Sequence, residues 1–386
     1  MRCSRRNGDD GESCPAGDVI EDSRHMACAL ALAARGRGRT SPNPMVGAVV
    51  VDEDGVVVGR GFHEFAGGPH AEVHALRDAG PRARGATLYC TLEPCCHTGR
   101  TGPCAPLVVG AGIRRTVIAM EDPNPLVSGG GIAHLRGNGI EVAVGVMRDA
   151  AVRLNRPFIS VMTRKRPLVT VNVALSLDAK VAAAAGTRTA ITGRAANRII
   201  QRDRAEVDAI AAGSGTILVD DPLLTPRGAY RYRPLVRVVF DRRLRTPTGA
   251  RLFSTLDAGP VMIVTTDTEV RRSSERAAAL KVAGARIEVV DDAGPTDGWF
   301  LSAALERLAA LNVTAVTVEG GPALHVAIWE AGLVDKVQVF VASKMLGPSG
   351  LPWLPLPAAS LADLAELSFT PAGDDILIEG YVHRTD

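Results

Sequence analysis

Pro69-His70-Ala71-Glu72, then Glu93-Pro94-Cys95, then Cys104: this spacing decides how the first third of the chain is read. One histidine and two cysteines make a tetrahedral zinc site with three protein ligands, His70, Cys95 and Cys104. Zinc favours nitrogen and thiolate donors, and a catalytic zinc keeps its fourth position open for water. The metal lowers the pKa of that water toward about 7. Glu72 lies two residues past His70, too close in sequence to be an independent ligand yet placed to reach the water. The bland alternative is a closed zinc knuckle, or buried thiols beside a surface histidine. A closed knuckle needs a fourth ligand from Cys96 or His97, and adjacent residues such as Cys95 and Cys96 rarely point at one metal. The His-Ala-Glu triplet also supplies an acid-base group for which a purely structural site has no use.

At 386 residues the chain is long for one domain and comfortable for two. A formal charge of +2 gives no global pull toward nucleic acid or an anionic membrane. All seven cysteines fall within the first 104 residues. An odd, lopsided count with zinc spacing argues for a reducing compartment and against a disulfide framework, so cytoplasm is the default. The sequence has no run of about 18 or more uncharged apolar residues, and no membrane span is expected. The N-terminus, rich in Arg, Asp and Gly, lacks the apolar core of a secretory signal.

Residues 1–22 are polar and turn-rich and read as a disordered extension. Ser23 caps a helix through Ala27 to Leu32, ending near Gly36. Val46 to Val51 and Val56 to Val58 flank Asp52-Glu53-Asp54-Gly55, a hairpin signal. His70 to Arg77 reads as a short helix, Ala86 to Cys90 as a strand, a second helix follows Cys104, and Arg115 to Met120 is another strand. The metal-bearing turns thus open helices, whose N-terminal dipoles favour thiolate over thiol. Such alternation indicates an α/β sandwich.

A second αβ series starts after Arg164-Lys165-Arg166-Pro167. Its strands are expected at 168–173, 207–212, 236–240, 261–265, 313–318 and 336–341, and its helices at 195–204, 301–311 and 323–331. Asp375 to Val382 closes the chain as an antiparallel edge strand. The boundary falls between 155 and 167, giving domains of 23–160 and 166–384. Two glycine turns, Gly213-Ser214-Gly215-Thr216 and Glu319-Gly320-Gly321-Pro322, would let backbone amides approach a phosphate.

Ser41-Pro42-Asn43-Pro44-Met45-Val46-Gly47, Gly67 to Val73 and Thr91-Leu92-Glu93-Pro94-Cys95-Cys96-His97-Thr98-Gly99-Arg100-Thr101 resemble the deaminase half of the bifunctional riboflavin-biosynthesis deaminase/reductase family. In zinc deaminases generally, a glutamate two residues past the histidine ligand shuttles protons and binds no metal. Here eight residues separate Cys95 from Cys104 instead of two, and the His-x-Gly-Arg-Thr run between them separates this family from cytidine, nucleic-acid and tRNA deaminases. Gly215 to Arg227 resembles the family's reductase signature, and the likeness spans roughly residues 24 to 382.

The resemblance implies a cytidine-deaminase-like αβα sandwich followed by a dihydrofolate-reductase-like αβ domain. It implies one Zn²⁺ per chain and NADPH as cofactors. Its small-molecule substrates would be phosphoribosylaminopyrimidines, with no nucleic acid or membrane partner, and homo-oligomer formation is left open. The first domain would hydrolyse the 2-amino group of 2,5-diamino-6-(5-phosphoribosylamino)pyrimidin-4-one, Glu72 handling the protons. The second would reduce the ribosyl chain of 5-amino-6-(5-phosphoribosylamino)uracil to ribityl. Asn43 and His63 match ring or phosphate contacts, with a structural surface histidine the competing reading for His63. Ala174, Thr216, Asp220, Gly321 and Pro322 match cofactor-contacting places, and Arg204, Leu224, Arg227 and Glu319 match places around the substrate. The chain departs from the family at Asn172 (usually Lys), Ala179 (Gly), Arg188 (Ser) and Ala190 (Trp). These departures make an active deaminase with an impaired or vestigial reductase the first alternative. A nucleoside or nucleic-acid zinc deaminase is the second, and a non-catalytic zinc scaffold the third.

Overall fold

The computed structural model describes residues 16–96, 102–125, 127–291, 297–354 and 364–382. It divides into two units, one holding residues 45–155 with the segment before Ser41, the other Ser41–Pro44 and the chain from Arg156 onward.

In the first unit, β1 (Gly47–Val51) and β2 (Val57–Phe62) form the expected hairpin, with Gly55 at the turn taking a φ of 77°. Helix α1 (Ala16–Ala34) lies on β1 at Gly47, where a Cβ would fall 2.0 Å from the Ala29 carbonyl oxygen. Helix α2 (Ala71–Ala79) lies on β2, where Cβ atoms at Gly59 and Gly61 would fall 2.2 and 2.3 Å from the Ala75 and Ala71 carbonyls. Gly59 and Gly61 pair with Val50 and Ala48, so Gly47 points to the other side of the pleat. The two helices therefore cover opposite faces, each lowered onto the sheet by glycine.

Strands β3 (Thr87–Cys90), β4 (Arg115–Ile118) and β5 (Glu141–Val144) complete a sheet of order β2-β1-β3-β4-β5. The last three run parallel, and β1 is antiparallel to both of its neighbours. Their connections carry α3 (Cys104–Gly110) and α4 (Gly130–Gly137). Parallel strands need crossovers, and these two crossovers bring Cys95 with Cys104 and a glycine-rich turn to the sheet's carboxyl edge.

Helix α1 begins at Ala16, not at Ser23, so residues 16–22 are folded; residues 1–15 of the expected extension lie outside the described residues. The reason is Asp22. Its buried carboxylate accepts two 2.8 Å hydrogen bonds from Arg115 on β4 and one of 2.8 Å from the Tyr89 hydroxyl on β3. Burial works against that charge, but the Arg115 and Tyr89 hydrogen bonds outweigh it and hold the carboxyl below its ordinary pKa.

Helix α5 (Arg148–Arg164) runs across the division between the units, with no loop at Asn155. The second unit is built on parallel strands: β6 (Leu168–Ser176), β8 (Ala209–Gly213), β9 (Val236–Phe240), β10 (Val261–Thr266), β11 (Ala285–Val290), β12 (Ala315–Val318) and β13 (Lys336–Ala342). With β15 (Leu364–Ala372) and β16 (Asp375–Val382), the sheet order is β11-β10-β9-β8-β12-β6-β13-β16-β15. A separate pair joins β7 (Lys180–Ala182) to β14 (Leu351–Pro352). The connections hold α6 (Arg194–Glu206), α7 (Ser214–Asp220), α8 (Asp267–Arg272), α9 (Ser274–Val282), α10 (Asp297–Ala310) and α11 (Pro322–Glu330).

Parallel strands covered on both faces read as unbroken apolar runs, and all six residues of β10 are buried. Ala209 and Ala211 belong to one core cluster, Ile210 and Ala212 to another, so the pleat divides them between two cores. The closing strand corrects an expectation: β16 pairs antiparallel with both β13 and β15 and is interior, and β15 is the edge. A nine-residue strand containing Pro371, with an irregular register, gave no clean alternation to read.

Ala179 turns at a φ of 59°, a region that favours glycine, and its side chain is exposed. A left-handed alanine costs about 1–2 kcal/mol, against about 0.5–1 kcal/mol for the greater unfolded freedom of glycine. Ala179→Gly is therefore expected to stabilise the protein by roughly 0.5–1 kcal/mol, seen as a higher urea midpoint with an unchanged slope. An equal or lower midpoint would contradict the strain assigned to this turn.

Candidate functional site

Each suspected zinc donor sits where the local fold can hold it. His70 is the residue capping the N-terminus of α2, Glu72 occupies that helix's first turn, and Cys104 is the first residue of α3. Cys95 lies in the loop after β3, tied to α3 by the Ala105 amide, which donates 3.0 Å to the Cys95 carbonyl. His70 Nδ1 is 3.5 Å from Cys95 Sγ and 3.3 Å from Cys104 Sγ, and the three donor atoms lie within 4.8 Å of one another. Donors on a tetrahedral zinc with bonds of about 2.0–2.3 Å stand about 3.5 Å apart. This donor set and spacing fit the metal.

Electrostatics point the same way. The Cys104 thiol and backbone amide both donate to Cys95 Sγ, which is pushed down to about 4 against the opposing effect of burial. Cys104, as the donor and more deeply buried, is pushed up. A dication between them would favour thiolate on both. Glu72 is shut from solvent, and burial pushes its carboxyl up to about 7, opposed by its own backbone amide and by His70. Cys96 stands outside the donor group: its sulfur lies 2.7 Å from where a Cβ on Gly130 would sit, so it packs against α4. His97 lies outside the described residues.

His63 is buried, with Nδ1 3.0 Å from the Pro69 carbonyl and its ring edge-on to His70 at 5.6 Å between centroids. It is not the surface histidine of the competing reading, because β2 ends directly beneath the His70 turn. Asn43 falls in Ser41–Pro44, which groups with the second unit.

Glu93 stands out in the sequence only as a neighbour of Pro94-Cys95, with no task of its own. In the fold its buried carboxylate accepts four backbone N–H groups: Asp122 (3.2 Å) and Gly129 (3.0 Å) on Oε2, Gly131 (2.9 Å) and Ile132 (3.1 Å) on Oε1. It caps the start of α4 and pins Pro94-Cys95 to it. Gly131 lies so close that a Cβ there would stand 1.9 Å from the Pro94 carbonyl oxygen. The readable signal was a carboxylate just before Pro-Cys together with Gly129-Gly130-Gly131 downstream.

In the second unit, Thr216, Gly321 and Pro322 line one cavity of about 670 Å³, a volume suited to a cofactor. Gly321 donates 3.0 Å to the Thr216 hydroxyl, and nothing lies within 4 Å of where a Cβ on Gly215 would point. Small residues at the start of α11 and four arginines among the described lining residues fit a polyanionic dinucleotide. Ala174 and Asp220 are not among those lining residues: Ala174 packs beside Phe340, and Asp220 is half-buried. Burial raises the Asp220 carboxyl, and the Arg188 charge opposes it.

The expected substrate residues form a neighbouring group. Arg204 pairs with Glu319 through Nε at 2.9 Å and through Nη2, and its Nη1 donates 3.1 Å to the Thr225 carbonyl. Arg227 donates its amide 2.6 Å to Gln201, and buried Leu224 takes a left-handed φ of 53°. Backbone strain of this kind persists where the surroundings over-determine the turn.

Residues 19–120 match the cytidine and deoxycytidylate deaminase zinc-binding region, and residues 167–378 match the RibD C-terminal domain. The riboflavin biosynthesis protein RibD of Aquifex aeolicus is 41% identical over 326 residues, covering 84% of this chain and 88% of that protein. The chain belongs to the bifunctional riboflavin-biosynthesis deaminase/reductase family. The Escherichia coli relative is 38% identical over 363 residues, covering 91% of this chain and 95% of its own length. The structure of Acinetobacter baumannii RibD, form 1, is 35% identical with a TM-score of 0.84, covering 95% of this chain and 100% of that one. A Thermotoga maritima structure described as a diaminohydroxyphosphoribosylaminopyrimidine deaminase/5-amino-6-(5-phosphoribosylamino)uracil reductase is 32% identical with a TM-score of 0.80. Family membership makes this chain a zinc-dependent deaminase and NADPH-dependent reductase of riboflavin biosynthesis. Among the described residues no helix is long and apolar enough to cross a membrane.

Cys95→Ser is expected to strip zinc from the purified protein, while Cys96→Ser keeps it; metal analysis showing equal loss would overturn the ligand set. Glu93→Gln turns two N–H groups onto a facing NH₂ and should weaken zinc binding about 10- to 100-fold, as loss of a residue orienting a metal ligand does. Competition with a chelator reads this, and unchanged zinc affinity would show that Glu93 holds α4 but not the metal loop.

Proposed function

We propose that the first unit removes the 2-amino group of 2,5-diamino-6-(5-phosphoribosylamino)pyrimidin-4-one as ammonia, with His70, Cys95 and Cys104 as the zinc ligands and Glu72 as the catalytic acid-base. The observation that carries this reading is the buried carboxylate of Glu72 one helical step from a converging His/Cys/Cys triad. When bound, the metal supplies Lewis acidity and makes water nucleophilic at neutral pH. Glu72 would accept the first water proton and deliver it to the ring nitrogen, then take the proton of the newly formed hydroxyl and pass it to the departing amine, which leaves as ammonia. A carboxyl that burial holds near neutrality suits both directions of transfer. His63, fixed by the Pro69 carbonyl beside His70, bounds the pocket for the ring. Asn43 is proposed as a further ring or phosphate contact.

The second unit is proposed to reduce the ribosyl chain of the deaminated product with a hydride from NADPH and a proton from solvent. Thr216, Gly321 and Pro322 hold the cofactor, and Ala174 and Asp220 are proposed as further cofactor contacts. Arg204, Leu224, Arg227 and Glu319 frame the sugar phosphate, a guanidinium gripping phosphate and a carboxylate accepting from sugar hydroxyls. The intact Arg204–Glu319 pair and the well-formed cavity favour a working reductase over a vestigial one, despite Arg188 and Ala190. The five described cysteines are all free, which suits the reducing cytoplasm.

Glu72→Gln is expected to retain zinc and to lose ammonia release by about 10²- to 10⁴-fold, because an amide cannot carry the proton. Reduction of separately deaminated substrate by the same variant should continue at the normal rate. Metal-replete variant with near-normal ammonia release would place the base elsewhere.

A further inference from the structure

We infer that His325 is a positioning residue of the reductase: its buried ring holds the Glu319-Gly320-Gly321 turn, between β12 and α11, in the shape that receives the cofactor. The inference rests on the reading of the second unit as an NADPH-dependent reductase and names what keeps one wall of its cavity in place.

That turn has little of its own to fix it. Gly320 and Gly321 bring no side chain, and glycine has more backbone freedom to lose than any other residue. Yet the turn carries much. Gly321 lines the cavity and donates 3.0 Å to the Thr216 hydroxyl, and Glu319 takes Arg204. On α11, Ala323, Leu324 and Ala327 line the cavity, whereas His325 is buried and is not among the described lining residues. At 3.6 residues per turn, His325 lies about 200° around the helix from Ala323 and from Ala327. It acts on the cavity through the turn.

Both ring nitrogens are engaged. Nε2 lies 3.2 Å from the Gly320 amide nitrogen, whose N–H aims at it, and the imidazole also hydrogen-bonds with the Val318 carbonyl. Nδ1 accepts 2.9 Å from the Trp353 indole, the two rings standing edge-on at 6.3 Å between centroids. Burial pushes the imidazole down to about 4 against the Val318 hydrogen bond, so at neutral pH the ring is uncharged and carries one N–H. An indole nitrogen only donates, which calls for a bare Nδ1 and puts that proton on Nε2, toward the Val318 carbonyl. With the proton on Nδ1 instead, Nε2 accepts the Gly320 amide. In either form Nε2 bonds a backbone group next to Glu319, a task no apolar side chain could perform. Trp353 is itself anchored: it follows β14, which pairs with β7, and Asp178 before β7 accepts from the Leu346 (3.0 Å) and Gly347 (2.8 Å) amides.

The test is equilibrium binding of NADPH to the full chain, followed calorimetrically. Glutamine at this position reaches as far as Nε2 and keeps a donor and an acceptor there, whereas asparagine reaches only as far as Nδ1. His325→Asn should therefore weaken NADPH binding about 10-fold, the scale of one lost hydrogen bond to a buried group, and His325→Gln by less than about threefold. Both variants lose the packing of the ring, so a merely structural role weakens them alike. Equal weakening, or none in His325→Asn, overturns the inference. Ammonia release, the work of the first unit, should stay at the wild-type rate in both; a matching fall there would mark general damage and also overturn it. Trp353→Phe, which keeps His325 and removes one N–H, serves if either variant fails to fold. Its NADPH affinity should lie within about threefold of wild type, and a loss of about 10-fold would give the hold on the turn to Trp353 instead. A wild-type protein that binds no NADPH would sink the reductase reading itself, and the inference with it.

Discussion

One buried carboxylate carries much of the first unit's geometry. Glu93 sits among four backbone N–H donors at the start of α4, and an anion there is favoured by both the hydrogen bonds and the helix dipole. An unpaired buried carboxylate would be costly, so the loop has one low-energy arrangement. That arrangement fixes Pro94 against Gly131 and hence the position of Cys95. The other two donors inherit their places from helices: His70 from α2, which glycines on β2 let settle on the sheet, and Cys104 from α3, whose first amide reaches Cys95. The site is pre-organised by contacts several residues away from the donors themselves.

The second unit solves a different problem with the same means. A parallel sheet places its strand ends, and therefore its loops, along one edge. The cavity collects Gly213, Phe240 and Thr266 from the ends of three strands there, and Gly321 from the turn after β12. The adjoining ion pair between Arg204 and Glu319 is part-buried and bidentate, the geometry in which such a pair contributes most. Polar anchors recur between elements far apart in sequence, as at Asp22 with Arg115 and at Asp335, whose carboxylate takes Arg166 and the Val169 amide.

Much of this was legible in the sequence, for identifiable reasons. His70, Glu72, Cys95 and Cys104 stood out because zinc chemistry restricts residue type and spacing together, and the apolar run Val261 to Val264 marked the buried strand β10. What stayed hidden had contradictory or distant signals. The first turns of α1 looked polar because their anchor, Arg115, lies 93 residues away. Edge strand β15 has exposed Leu367 and Phe369 and a proline, so neither alternation nor composition marked it. The four-amide cradle of Glu93 depends on backbone positions that no side-chain pattern encodes. The likeness to the family supplied the second unit's residues, and the structure divided them: Thr216, Gly321 and Pro322 line the cavity, whereas Ala174 and Asp220 stand outside its lining.

Two reactions in fixed order on one chain is the central claim, and one time course tests it directly. Purified zinc-loaded protein is given 2,5-diamino-6-(5-phosphoribosylamino)pyrimidin-4-one, with ammonia and NADPH absorbance followed together, in the presence and absence of NADPH. Ammonia should appear at the same rate in both arms, and NADPH oxidation only after a lag, approaching one equivalent per ammonia. Oxidation preceding ammonia, or ammonia release with no oxidation at all, would contradict it.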